Sequence, residues 1–149
     1  MRIFLDSNVL FSGVYSGAGN PRRLLDMAAS GRFAAVLSRT VIDEVVRNLR
    51  NKAPRALPRL DQVFSEVAFQ VALELPPEDA IREWGEFGSD APIMAAAMNA
   101  QVEYLCTGDR RLRERVRRVA GLRVVTPAEL IAILMRPGAP RQPACLSVK

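Results

Sequence analysis

Short apolar runs alternate with longer stretches of helical period along this chain. The runs at residues 2–5, 34–37, 103–106 and 122–125 are mainly apolar and predict short buried strands. Between them, apolar residues recur every three or four positions, which is typical of helices with one buried face. Strands that alternate with helices favour a mostly parallel sheet covered on both faces. The pattern therefore predicts an α/β fold.

Capping residues and glycines set the bounds of the predicted helices. Asn20-Pro21 starts a helix that Gly31 ends, and Ser38 caps the next one. Segment 7–19 has no clear period and is rich in Gly and Ser, so we expect it to begin as a loop. The predicted helices span residues 20–30, 39–51, 59–72, 77 to 85 or 88, 90–101, 109–119 and 128–135, and 73–75 is a candidate for one more strand.

Length and composition indicate one globular domain. The 149 residues are 49% hydrophobic and 25% charged, which is enough for a buried core. We predict a domain over 1–135 and a disordered tail over 136–149, where Pro and Gly recur. No apolar run approaches the roughly 20 residues that span a bilayer, and the amino terminus lacks a signal-peptide pattern. With only two cysteines, we expect a cytoplasmic protein without a disulfide framework or a membrane partner.

The positive charge of the chain comes almost entirely from arginine. The formal net charge is +5, the pI is about 10.0, and only Lys52 and Lys149 are lysines. Arginine binds phosphate with paired hydrogen bonds and stacks on bases, so this balance favours a nucleic-acid partner. A genome rich in Arg codons explains the composition equally well. The chain has no His, which excludes His-based hydrolytic sites and typical zinc centres.

Four acidic residues are placed where predicted strands end or within predicted helices. Asp6 ends the first apolar run and Asp109 follows the third. Asp90 opens a predicted helix, and Glu44 lies inside another. Sites in α/β folds form beyond the carboxyl ends of parallel strands, so these acids can converge in space. Clustered carboxylates repel each other unless a hard cation such as Mg²⁺ or Mn²⁺ neutralises them, which makes a metal site the first hypothesis.

Each acid also has an ordinary structural explanation. Asp90 and Asp109 are suited to capping helices, and Asp6 is suited to an Asx turn. Asp43 and Glu44 flank the apolar stripe of their helix on opposite sides, about equally far from its centre. The periodicity therefore does not decide which of these two points toward Asp6.

Polar and basic neighbours of the strand ends are candidates for a supporting role. Asn8 follows Asp6 by two positions and Thr107 precedes Asp109 by two. Both suit either the orientation of a carboxylate or water, or ordinary turn hydrogen bonds. An arginine run after Asp109 is either a solvated helix face or a contact surface for a polyanionic substrate or an acidic partner protein. The run comprises Arg110, Arg111, Arg113, Arg115, Arg117 and Arg118.

At these residues the chain resembles the PIN-domain family, in the toxin type often called VapC-like. The matching segments are IFLDSNVL (3–10), residues 37–49, SDAPIMAAA (89–97), YLCTGD (104–109) and the start of the last predicted helix (126–130). Their order and spacing agree over residues 1–135. The resemblance implies a three-layer α/β/α sandwich around a mostly parallel central sheet of four or five strands.

The same resemblance implies a metal-dependent endoribonuclease, with an antitoxin as partner and a homodimer as assembly. It selects Glu44 over Asp43. The implied acidic set is Asp6, Glu44, Asp90 and Asp109. In this hypothesis one or two Mg²⁺ or Mn²⁺ ions are held by Asp6, Asp90 and Asp109.

The arginines after the last acid complete the hypothesis and mark a departure from the family. Arg110 and Arg111 are candidates for contacts to RNA phosphates. Many relatives have a further acid two residues after the last Asp, where this chain has Arg111. We therefore expect a second metal ion to be held weakly, or only when substrate phosphate helps to bind it.

Other function classes share some of these features. A non-catalytic RNA-binding or regulatory module fits the basic charge and the missing acid at Arg111, and it is the alternative to the nuclease. A phospho-acceptor receiver domain expects an acidic pair after the first strand and a late Lys, whereas this chain has Asp6 alone and no Lys between 52 and 149. A haloacid-type phosphatase expects an Asp where this chain has Asn8.

Overall fold

The computed structural model describes residues 1–116 and 121–139, which form five strands and eight α-helices. The strands are β1 (Arg2–Leu5), β2 (Ala34–Ser38), β3 (Gln70–Ala72), β4 (Tyr104–Cys106) and β5 (Arg123–Val125). The helices are α1 (Ser7–Tyr15), α2 (Asn20–Ala29), α3 (Arg39–Lys52), α4 (Leu57–Glu66), α5 (Pro77–Trp84), α6 (Ala91–Asn99), α7 (Arg110–Val116) and α8 (Pro127–Leu134). Short 3₁₀ turns at Pro54–Ala56 and Gly85–Asp90 precede α4 and α6.

The strands form one parallel sheet in the order β3-β2-β1-β4-β5. Phe4 of the central strand β1 pairs with Val36 on one side and with Leu105 on the other. Ile3, Phe4 and Leu5 have no exposed surface although successive side chains point to opposite faces, so both faces of the sheet are covered. The predicted α/β sandwich with a parallel sheet is confirmed.

The strand order places a crevice beside β1. The chain passes from β1 to β2 on one side of the sheet and later returns to β4 on the other side. The connections that leave the carboxyl ends of β1 and β4 therefore run in opposite directions and separate from each other. Ligands of open α/β sheets bind in such a crevice.

Segment 7–19 does not begin as a loop, and this prediction was wrong. Helix α1 starts at Ser7 because the Asp6 carboxylate accepts a hydrogen bond from the Ser7 amide at 2.8 Å. Val9, Leu10 and Val14 lie on the face of α1 that packs into the core. Tertiary burial overrides the low helix propensity of the Ser, Asn and Gly residues in this segment.

The predicted helix 59–72 is too long, and the predicted strand 73–75 comes three residues too late. Helix α4 ends at Glu66, and Gln70–Ala72 forms β3 instead. In this strand Val71 pairs with Leu37 of β2, and the Gln70 side chain accepts a hydrogen bond from Arg2 Nε at 2.9 Å. Pairing at the sheet edge takes these residues out of the helix although their spacing suits one.

Most other predicted bounds agree with the structure within three residues. Ser38 Oγ accepts a hydrogen bond from the Val41 amide at 3.3 Å and caps α3, as predicted. Helix α2 differs at its start, because Gly19, and not Asn20, takes the capping position. The end of the predicted helix 109–119 and most of the predicted tail 136–149 lie outside the described residues. In the part of the chain that is described, no helix has the length and apolar character needed to cross a bilayer.

Candidate active site

A concavity of about 210 Å³ contains all four acidic residues predicted from the sequence. It lies beyond the carboxyl ends of β1 and β4. Asp6 follows β1 directly, and Asp109 follows β4 after a two-residue link. Glu44 enters from α3, and Asp90 stands immediately before α6. The structure thus brings together four carboxylates that are spread over more than a hundred positions of the sequence.

The carboxylate of Asp6 is nearly buried and accepts hydrogen bonds from three residues. Only 4% of the residue is exposed. Its Oδ1 accepts from the Ser7 amide at 2.8 Å. Its Oδ2 accepts from Thr107 Oγ1 at 2.7 Å and from Asn8 Nδ2 at 3.2 Å. These donors fix the orientation of the carboxylate within the folded protein.

Asn8 and Thr107 join the end of β1 to the end of β4. The buried Thr107 hydroxyl accepts hydrogen bonds from Asn8 Nδ2 at 3.2 Å and from the Asp109 amide at 3.0 Å. Asn8 Oδ1 in turn accepts from the Gly108 amide at 2.9 Å. The side chains of Asn8 and Thr107 therefore hold Asp6 and the backbone of Asp109 in one connected network.

Asp109 both lines the concavity and caps the helix that follows it. It lines the concavity, and its Oδ1 also accepts hydrogen bonds from the amides of Arg111 at 2.8 Å and Leu112 at 3.2 Å. These two bonds cap the first turn of α7. Capping uses one carboxylate oxygen, and Oδ2 accepts no hydrogen bond among the described residues.

Glu44 and Asp43 lie on different sides of α3. Glu44 lines the concavity, whereas Asp43 borders a separate groove and pairs with Arg39 Nε at 3.1 Å. The position of Glu44 agrees with the choice that the family resemblance made.

Asp90 does not cap α6 with its side chain, so the ordinary explanation considered for this residue is absent. Within the described chain, the side chains of Glu44 and Asp90 accept no hydrogen bond.

Burial and the neighbouring acids raise the pKa of two residues of the concavity, Asp6 and Asp90. The pKa of Asp6 is raised above 3.8, first by burial and then by the charges of Asp90 and Glu44, against the lowering effect of the Thr107 and Ser7 hydrogen bonds. The pKa of Asp90 is raised by burial and by Asp109 and Glu44, and the charge of Arg115 lowers it only in part. Repulsion among these carboxylates favours a cation between them.

The acidic set fits a hydrated divalent ion better than an ion fully enclosed by protein. Among residues 1–116 and 121–139, no three acidic or thiol side chains stand close enough to surround a metal ion by themselves. Mg²⁺ commonly keeps several waters and binds through only one or two carboxylates. A pocket lined by oxygen ligands that repel each other, with room for water, suits this type of ion.

Several residues of the site were not singled out from the sequence. Asn48 and Lys52 follow Glu44 at intervals of four on α3, and this spacing was a signal that they share its face. Phe11 and Ile93 complete the wall. Their places depend on how α1 and α6 approach α3, which no local pattern reveals.

The predicted phosphate contacts Arg110 and Arg111 do not line the concavity. Arg110 Nε pairs with Glu114 at 3.1 Å, and both side chains of this pair are mostly exposed. Arg111 is exposed as well. On the same helix, the charge of Arg115 lowers the pKa of Asp90, which is an acid of the site.

Comparisons with known proteins identify the family to which the fold and the acidic concavity correspond. The family model of the PIN domain matches residues 2–111. PIN domains are generally nucleases and typically use divalent metal ions. No curated protein matches the chain in sequence.

Solved structures share the fold at low sequence identity. PAE2754 from Pyrobaculum aerophilum is 18% identical, with a TM-score of 0.66 over 90% of this chain and 95% of that one. VapBC2 from Rickettsia felis, solved bound to a DNA fragment from their promoter, is 14% identical, with a TM-score of 0.61 over 85% of this chain and 98% of that one. Since the family model also covers well over half of its residues, the chain belongs to the PIN-domain family.

Proposed function

We propose that this protein is a metal-dependent endoribonuclease that hydrolyses RNA phosphodiester bonds and acts as the toxin of a toxin–antitoxin pair. Its family supports nuclease chemistry. The observation that carries the proposal is the single concavity lined by Asp6, Glu44, Asp90 and Asp109. Burial and charge repulsion, which raise the pKa of Asp6 and Asp90, suit a divalent cation, and the net positive charge of the chain suits a phosphate backbone.

The four acids have two different roles in the proposed mechanism. Asp6, Asp90 and Asp109 would hold one or two Mg²⁺ or Mn²⁺ ions, directly or through water. Such an ion would supply a water of lowered pKa and would stabilise the charge on the attacked phosphate. Glu44, whose carboxylate accepts no hydrogen bond in the described chain, orients the attacking water.

Two further side chains act through Asp6. Thr107 and Asn8 donate hydrogen bonds to its Oδ2 and keep this oxygen in place. Such supporting contacts to a metal ligand typically change affinity or activity by about 10- to 100-fold when they are removed. In this proposal Arg110 and Arg111 contact phosphates outside the concavity.

The first test compares cleavage of a fluorescently quenched RNA by the wild-type protein and by Asp6→Asn, each with Mn²⁺, Mg²⁺ or EDTA. We expect cleavage by the wild type alone, abolished by EDTA, because Asn8 and Thr107 can still bond the amide while one ligand charge is lost. Equal cleavage by Asp6→Asn would identify a contaminating nuclease and contradict the proposal.

The non-catalytic RNA-binding module remains the alternative function. The basic charge and Arg111, where many relatives have an acid, favour it. It predicts RNA binding that neither metal nor Asp6→Asn changes, and no cleavage by the wild type. Binding measured with the same RNA, with and without EDTA, separates it from the nuclease.

The toxin role adds a cytoplasmic location, an antitoxin and a homodimer to the proposal. It is supported by the likeness to VapBC2, a structure solved on promoter DNA. An antitoxin that inserts a basic side chain among the four carboxylates would displace the metal. Co-expression with the product of the neighbouring gene tests this role, and we expect co-purification and inhibition of RNA cleavage. Absence of both effects would remove the toxin role and leave the nuclease.

A further inference from the structure

An aromatic pair extends from the acidic concavity along helix α1. Phe11 forms part of the concavity wall, and Tyr15 stacks on it one turn later, with ring centroids 5.8 Å apart and an angle of 8° between the planes. Tyr15 exposes 57% of its surface. A stacked ring that is open to solvent beside a candidate active site offers a flat surface for another ring.

Lys52 lies beside this pair without a carboxylate partner. Its Nζ stands 5.9 Å from the centre of the Phe11 ring, and the side chain lines the same concavity as the four acids. It nevertheless forms no ion pair with any acid of the described residues. The contact with Phe11 keeps the ammonium group at the rim of the concavity, where it is available to an anion from outside.

Two arginines continue the cationic surface on the other side of Tyr15. Arg59 Nη1 donates a hydrogen bond to the Tyr15 carbonyl at 3.1 Å. A hollow of about 160 Å³ lies between Tyr15, Arg55 and Arg59, with Ala53 and Ala56 on its wall. Neither arginine pairs with an acid in the described part of the chain.

We propose that this surface binds a single-stranded segment of the RNA next to the bond that is cleaved. We call it the α1 rim, and it consists of Phe11, Tyr15, Lys52, Arg55 and Arg59. A base stacks on Tyr15, and the phosphates on either side of it contact Lys52 and the two arginines. The proposal rests on the proposed function for its ligand, because RNA is the substrate argued above.

The combination of rings and cations selects single-stranded RNA. Exposed aromatic rings along a cationic groove are how proteins bind single strands without reading their sequence. In a duplex the faces of the bases are stacked inside the helix, so a ring at the protein surface cannot reach them. Three cations without acidic partners also favour a polyanion over a protein segment as occupant of the rim.

The test measures binding of a labelled single-stranded RNA by fluorescence anisotropy, in the Asp6→Asn background so that the strand stays intact. We expect Tyr15→Leu to weaken binding by about 5- to 100-fold, which corresponds to the loss of one stacked base, and Tyr15→Phe to retain it. Tyr15 is largely exposed, so neither substitution threatens the fold. A duplex of the same sequence is expected to bind equally to all three proteins.

Two controls separate stacking and charge from general effects. The first control uses a set of RNAs that each lack one base at a different position. The Asp6→Asn single variant should bind one of these RNAs more weakly than the intact strand. The double variant that also carries Tyr15→Leu should bind all of them equally. The second control is Arg50→Gln, which removes one positive charge from the same helix but at a residue that lines a different groove. Lys52→Gln should weaken RNA binding more than Arg50→Gln does. Both controls are measured at one fixed salt concentration.

The outcomes distinguish this proposal from the proposed function. Unchanged RNA affinity in Tyr15→Leu and Lys52→Gln would overturn the α1 rim, and the cleavage test would be unaffected. If these substitutions instead abolish only co-purification with a neighbouring gene product, the rim is a protein interface and the RNA proposal is wrong. Binding that depends on Tyr15 without any metal-dependent cleavage would overturn the nuclease and support the rim.

Discussion

The two halves of the acidic concavity are built in different ways. In one half, which we call the network half, Asp6 and Asp109 follow β1 and β4 and are joined through Asn8 and Thr107. In the other, the open half, Glu44 and Asp90 accept no side-chain hydrogen bond within the described chain and are positioned only by their helices. Folding therefore fixes the carboxylates of the first half, and in the proposed function a bound cation fixes those of the second.

This difference predicts which substitutions change both stability and activity and which change activity alone. Buried hydrogen bonds in the network half contribute to the folded state, so substitutions there affect both folding and function. In the open half the carboxylates only repel each other until a ligand arrives, so substitutions there affect function and leave stability unchanged or improved. Sites often retain such unfavourable charges at the expense of stability.

Within the open half, the largest effect is expected for Glu44→Gln. We expect RNA cleavage to fall by on the order of 100-fold, because the group that orients the attacking water loses its charge. The melting temperature should stay equal to that of the wild type or rise. Asp43→Asn is the matched control, since it changes the neighbouring residue on the other side of α3 and should keep full activity. Equal losses in both variants would show that α3, and not Glu44, is responsible.

A combined effect is expected for Thr107→Val in the network half. The variant keeps the shape of the side chain but removes the donor to Asp6 Oδ2 and the acceptor for Asn8 and Asp109. We expect the free energy of unfolding to fall by about 1–3 kcal/mol, measured with urea, and cleavage to fall by about 10-fold or more.

Thr107→Ser keeps the hydroxyl and serves as the control for this effect. It should remain close to the wild type in cleavage and lose only the packing of a methyl group. Full stability and activity in Thr107→Val would show that the network does not hold Asp6, and the contrast between the two halves would fail.

The network half was largely predictable from the sequence. Apolar runs mark where strands end, so Asp6 and Asp109 stood out as residues beyond parallel strands, and Asn8 and Thr107 as their neighbours. That half depends on local sequence and on the strand order of an α/β fold. Its helix α1 was missed, because its start depends on a hydrogen bond that the Ser7 amide donates to the Asp6 carboxylate, in a segment whose composition favours a loop.

The open half and the α1 rim depend on contacts between distant segments. Periodicity left Glu44 and Asp43 equivalent, and the resemblance to the family separated them. The place of Phe11 follows from the approach of α1 to α3, whereas Lys52 shares the face of Glu44 on α3. Strand β3 was misplaced for a similar reason, because only its pairing with β2 distinguishes it from the end of a helix.

A smaller effect is expected for the pH dependence of stability without metal. The pKa values of Asp6 and Asp90 are raised in the folded protein. As the pH rises above about 4, the unfolded chain loses these protons first and the folded chain holds more of them, so stability falls through this range. Melting temperatures in EDTA should therefore fall with rising pH in the wild type and fall less in Asp90→Asn.

Asp61→Asn is the control for this pH profile, since Asp61 is an exposed acid of α4 outside the concavity. It should keep the profile of the wild type. Mn²⁺ should raise the melting temperature of the wild type at neutral pH, because a ligand that binds only the folded state stabilises it. The same slope in the wild type and in Asp90→Asn would contradict the proposed repulsion in the open half.

The smallest change is expected for the reaction rate of the Cys106 thiol. Because Cys106 ends β4 directly before Thr107, this rate reports on the network half. This residue of β4 has no exposed surface, and burial, together with the charges of Asp6 and Glu129, raises its pKa to about 12. In a Cys145→Ser protein, where Cys106 is the remaining thiol, we expect hardly any reaction with a thiol reagent at neutral pH, since only the thiolate reacts. Thr107→Val should raise the rate modestly by loosening the strand ends, while Glu44→Gln should not. If both variants react at the same rate, the two halves open together and the distinction between them does not hold.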